Sequence, residues 1–121
     1  MATKREVEEF LGQFRLCIEY GSKARFRQTP KNIQGLAALN MTQTQATECV
    51  CRLRSENYCN GPEVDRDEDG KEVWVFGWIE RGVEIYIKIR LDPNKPFSTP
   101  VIRSFHPAEH SLSYPLKGGG K

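Results

Sequence analysis

The sequence predicts a two-layer α+β domain in which N-terminal helices pack on an antiparallel sheet of three or four strands. Two observations carry this. In the first half of the chain apolar residues recur at three- and four-residue spacing, and in the second half they alternate with polar ones. The pattern changes once, after Asn57-Tyr58-Cys59-Asn60-Gly61-Pro62, so the helices come first and the strands after them.

The spacing predicts a first helix over 4–20, with Val7, Phe10, Leu11, Phe14 and Ile18 on one side and Gly21 as its stop. Residues 23–28 read as a short strand or extended link, broken by Thr29-Pro30. A short helix over 31–39 carries Ile33, Leu36 and Leu39. Thr42 caps a third helix over 43–54, whose apolar side holds Ala46, Cys49, Val50 and Leu53. Residues 72–80 and 83–91 are rich in β-branched and aromatic side chains. Arg81-Gly82 between them makes a hairpin turn. Residues 92–100, with three prolines, form a loop, and 101–106 form the last strand, ended by Pro107. Residues 1–117 are one domain, and 118–121 are a Gly-rich tail.

At 121 residues, with 38% hydrophobic and 28% charged, the chain suits one modest core. No apolar run approaches the roughly 20 residues that cross a bilayer. The N-terminus lacks the apolar stretch of a signal peptide, so the expected location is cytoplasmic, with no membrane partner. Net charge is only +2 but unevenly spread. Residues 1–54 hold nine basic and five acidic groups, 55–72 hold two and seven, and 73–121 hold seven and four. The acidic stretch 63–72 thus masks two basic regions that suit a polyanion if they share a face. The four cysteines lack disulfide or zinc spacing, and buried free thiols with no bound metal are expected.

Strand 83–91 alternates strictly. Ile85, Ile87, Ile89 and Leu91 face the core, while Glu84, Tyr86, Lys88 and Arg90 face the other way. A phosphodiester needs cations and a hydrogen-bond donor of this kind, although an ordinary wet sheet face has the same composition. Strand 72–80 sets Trp74, Phe76 and Trp78 against Val73, Val75 and Ile79. With two apolar faces it reads as central, its aromatics in the core. In the last strand, parity puts Ile102, Ser104 and His106 on one side and Val101, Arg103 and Phe105 on the other. With Phe105 in the core, His106 joins the face of Tyr86 and Lys88.

Both histidines of the chain, His106 and His110, fall within 104–115, beside Glu109 and Tyr114. Histidine takes and gives protons near neutrality, its ordinary pKa being about 6.5. This strand end is therefore where proton transfer is expected, if the chain does chemistry.

The stretches Val73-Trp74, Ile85-Tyr86-Ile87-Lys88-Ile89 and Val101-Ile102-Arg103-Ser104-Phe105-His106 resemble the MqsR family of bacterial toxins, which share the compact RelE-like ribonuclease fold. The helix over 49–53, ending at Ser55-Glu56-Asn57-Tyr58, also corresponds, as do the leading elements. The segment Ser104-Phe105-His106 to Tyr114-Pro115 is similar to that of a distinct branch grouped with these toxins. No single motif is specific; their order over nearly the whole chain carries the likeness.

The resemblance implies the toxin of a type II toxin–antitoxin system. It would be a metal-independent endoribonuclease with no cofactor, cutting mRNA by 2′-OH attack and held inactive by a cognate DNA-binding antitoxin. Tyr86 matches the family's active-site tyrosine in its Tyr-x-Lys strand, and His106 stands where well-known members have a catalytic lysine. Two departures are Val75, in place of a glutamine, and Cys59, at the loosely aligned position of a lysine. The expected roles are proton transfer by His106 with His110 as partner, assistance by Tyr86, and phosphate stabilisation by Lys88 or Arg90. Arg25, Arg27 and Lys31 are expected on the RNA backbone, and Glu109 holds a histidine tautomer. The alternative is a non-catalytic RNA-binding or protein-interaction module of the same fold, in which 104–115 is a structural lock with Tyr114 and Leu116 on the sheet.

Overall fold

Helix α1 (Lys4–Leu16) starts at Thr3, whose hydroxyl accepts from the Glu6 amide while the Glu6 carboxylate accepts from the Thr3 amide. It does not run on as an α-helix to residue 20. A π-helical turn, Cys17–Gly21, widens the last turn before the chain extends. The computed structural model describes residues 1–65 and 70–118. Arg66, Asp67, Glu68 and Asp69 of the acidic stretch, and tail residues 119–121, lie outside the described residues.

Strand β1 (Arg25–Phe26) follows, then α2 (Pro30–Leu39), with Thr29 as N-cap and Pro30 in its first turn, and α3 (Gln43–Cys51), capped by Thr42. Helix α3 stops at Cys51 rather than 54, and Leu53 turns into the core at 1% exposure. A 3-10 turn, Ser55–Asn57, leads into β2 (Tyr58–Val64). The hairpin partners β3 (Glu72–Glu80) and β4 (Val83–Asp92) come next, and β5 (Thr99–Pro107) closes the sheet.

The sheet has five strands in the order β1-β5-β4-β3-β2 and is mixed: β1 runs parallel to β5 and every other pair is antiparallel. This corrects the expected three or four antiparallel strands. Strand β2 carries no strand pattern in the sequence, because Asn60-Gly61-Pro62 are turn formers. Pairing with β3 makes it a strand despite two register shifts.

One face of the sheet carries the core. Ile85, Ile87 and Ile89 are fully buried there with Phe76, Ile102 and Phe105, under Val7, Leu11 and Phe14 of α1. Each such side chain contributes roughly 1.5–3 kcal/mol when removed from water. Trp74 lies flat on Phe10, ring centroids 4.5 Å apart and planes 9° apart, so the aromatics of β3 face the helices as expected. The opposite, outer face bears Tyr86 and Lys88.

Candidate functional site

Register brings the first two site residues together. Tyr86 of β4 is the Cα partner of His106 of β5, and Ile87 that of Phe105. With Ile87 and Phe105 in the core, period-2 alternation turns Tyr86 and His106 outward side by side. Their rings stack, centroids 5.4 Å apart and planes 25° apart, and Lys88 Nζ lies 6.0 Å from the Tyr86 ring. His106 Nδ1 is 2.9 Å from the Pro107 carbonyl oxygen. A carbonyl only accepts, so in the neutral ring Nδ1 carries the proton and Nε2 keeps the lone pair. The tautomer of His106 is thus set by the backbone.

A β-bulge then overturns the parity of the last strand. Lys88 pairs with Ser104 but Ile89 pairs with Ile102, so Arg103 is an extra residue. Ile102 therefore joins Phe105 in the core, and Arg103 emerges on the outer face with Lys88. Alternation could not reveal this cation.

Both cations meet one carboxylate. Asp65, only 2% exposed, places Oδ1 3.5 Å from Lys88 Nζ and Oδ2 3.2 Å from Arg103 Nε. Asp65 directly follows β2, which is separated from β4 by β3. Strands are spaced about 4.8 Å apart, so Asp65 and the long side chains of Lys88 and Arg103 meet across the outer face. Arg90, expected to stabilise phosphate or contact RNA, is 4% exposed and holds Asp92 at 2.8 Å instead. It does not line the cleft formed by Tyr86, Lys88 and His106.

Beyond β5 the chain crosses the sheet as a strap. The Glu84 carboxylate accepts from the Leu112 amide at 3.1 Å and from the Tyr114 hydroxyl at 2.7 Å. Gly77 leaves room for the Tyr114 hydroxyl and Leu112, and Leu116 anchors the strap in the core at 2% exposure. The strap brings His110, Glu109 and Leu112 to the rim of a cleft of about 580 Å³. Tyr86, Lys88, Arg103, Ser104 and His106 from the sheet line the same cleft, with Thr29, Lys31 and Asn32 at the start of α2. Glu109 accepts from Lys31 at 3.2 Å, and that hydrogen bond and charge lower its pKa.

No family model, curated protein or solved structure matches the chain.

The cleft therefore unites Tyr86, Lys88, His106, His110 and Lys31 of the expected site. Arg25 and Arg27 flank Phe26, a core residue of β1, so alternation turns them to the outer face, but neither lines the cleft. Arg103 and Asp65 are the residues that sequence reasoning missed. Cys59 is no substitute for a cation: burial, with Glu84 nearby, pushes its thiol up to about 12, so it stays neutral. A larger groove of about 830 Å³ lies on the helix side, with Lys4, Arg15, Arg52 and Arg54 among its walls. No histidine or tyrosine lines it among the described residues, whereas His106, His110 and Tyr86 all line the smaller cleft. Among the described residues no three His, Cys, Asp or Glu side chains converge to hold a metal, and no helix is long and apolar enough to cross a membrane.

Proposed function

We propose that this chain is a metal-independent endoribonuclease of RelE-like fold. It would be the toxin of a bacterial type II toxin–antitoxin system, acting on mRNA in the cytoplasm and checked by a DNA-binding antitoxin. The observation that carries the reading is the stacked Tyr86–His106 pair beside Lys88 in a cleft that also receives His110. The likeness of these strands to MqsR supports it.

In this reading His106 Nε2 accepts the proton of a ribose 2′-OH, and the 2′-oxygen attacks the adjacent phosphorus. Lys88 offsets the charge that develops on the phosphorane oxygens. The P–O5′ bond breaks, protonated His110 gives its proton to the leaving 5′-oxygen, and a 2′,3′-cyclic phosphate remains. One proton is taken and one given, as general acid–base catalysis requires. Tyr86 orients the imidazole and shares the proton transfer.

Expression of the wild-type chain should arrest bacterial growth, and the purified protein should cut single-stranded RNA with or without a chelator. His106→Ala should lower the cleavage rate by about 10²–10⁴-fold and abolish the arrest, with Tyr86→Phe also impaired. Wild-type cleavage by both variants, or its loss on chelation, would overturn this mechanism.

Val75 and the neutral thiol of Cys59, standing where the family has a glutamine and a lysine, favour a second reading, an RNA-binding module without catalysis. RNA affinity that falls steeply with salt, with no cleavage at any pH, would decide for it.

A further inference from the structure

Lys88 and Arg103 sit on neighbouring strands, each within 3.5 Å of the same carboxylate, and both line the cleft. Two cations this close repel unless an anion lies between them. Asp65 is that anion. Its side chain is 1% exposed and those of the cations 14%. It is not among the residues lining the cleft, whereas both cations are. A ligand in the cleft therefore reaches the cations without evicting Asp65. The trio formally carries one more positive than negative charge.

We propose that Lys88 and Arg103 form a phosphodiester subsite in the cleft wall, and that Asp65 is the positioning residue that lets the two cations converge on it. This rests on the ribonuclease reading in that the subsite lies beside Tyr86 and His106. It adds Arg103, a residue with no place in the strand alternation, which the bulge between Ile102 and Ser104 delivers. A guanidinium suits the role because its N–H groups diverge: one edge faces a carboxylate while others serve a phosphate. The Asp65 side chain and a cleft phosphate would thus hold the same cations from opposite sides.

Anisotropy of a fluorescent single-stranded oligodeoxynucleotide, which has no 2′-OH and cannot be cut by this route, tests binding apart from cleavage. It is measured with the full chain across a salt series. Arg103→Gln should weaken binding roughly tenfold and lower the salt slope by about 0.7, while Arg103→Lys retains the slope. Asp65→Asn raises the net charge by one, so charge alone would tighten binding. Positioning instead makes Asp65→Asn weaken binding and lower the slope as Arg103→Gln does.

Wild-type affinity and slope in Arg103→Gln would overturn the subsite. Tighter binding with a steeper slope in Asp65→Asn would overturn positioning and make Asp65 a competitor of the phosphate. If Asp65→Asn does not fold, the Asp65→Asn/Arg103→Gln double variant replaces it. Binding by that double variant equal to Arg103→Gln supports positioning through Arg103, and binding tighter than Arg103→Gln overturns it. RNA that binds in an Arg103-dependent way yet is never cut by the wild type would sink the nuclease reading and leave the subsite standing.

Discussion

Asn32 replaces a missing strand. Strand β1 ends at Phe26, so its pairing with β5 stops at Ile102. The Asn32 amide, 1% exposed, donates to the Arg27 and Arg103 carbonyls at 2.9 and 3.1 Å and accepts from the Phe105 amide at 3.0 Å. It thereby fixes both the bulge that presents Arg103 and the backbone next to His106. Asn32→Ala strands buried donors and acceptors and should cost about 2–4 kcal/mol, read from the urea midpoint at unchanged m-value. A cost below about 0.5 kcal/mol would mean that these groups find other partners. In the sequence Asn32 is one polar residue near a helix start, since nothing local signals that its partners lie 71 and 73 residues away.

Among the elements, the strap over 108–118 depends on the Glu84 clamp. Burial raises the Tyr114 pKa above the usual 10, and the hydrogen bond and charge of Glu84 raise it further. A pKa raised by folding means that the folded state favours the neutral phenol. The resulting stability is complete below the ordinary value and is lost as pH rises beyond it. Thermal melts from neutrality to about pH 11 should therefore show wild type losing stability more steeply than Tyr114→Phe above about pH 10. Parallel curves would rule out a titrating clamp. At neutral pH the same variant should cost about 1 kcal/mol. Pairing β3 with β4 and burying the isoleucines needed only alternation and the Arg81-Gly82 turn. The parallel edge β1, the irregular β2 and the bulge in β5 needed partners remote in sequence.

Over the whole molecule, the C-terminal strap closes onto the same core as the N-terminus. Ala2 is 5% exposed and its amide donates to the Tyr58 hydroxyl at 3.1 Å, while Leu116 is 2% exposed in the same cluster. Leu116→Ala should cost about 2–4 kcal/mol by denaturant unfolding. Because that residue pins the strap, it should also loosen His110 from the cleft, seen as faster amide exchange over 108–116. Unchanged exchange would show that Glu84 alone holds the strap. Charge follows the same logic at this scale. The acidic stretch reads along the chain as a mask of the net charge, yet its Asp65 is an internal partner of two cations, and Lys71 pairs with Asp92 at 3.4 Å.

By itself the sequence determined the α+β class, the isoleucine face of β4, and the company of Tyr86, Lys88 and His106 on the opposite face. These follow from periodicity, which is local and needs only a strand and one known core residue. The tertiary structure alone decided that Arg103 joins the cleft and Arg90 does not. It also decided that Pro107 sets the His106 tautomer and that Asp65 meets Lys88 and Arg103. Register, bulges and cover arise from pairing between distant segments, and alternation within one strand carries no record of them.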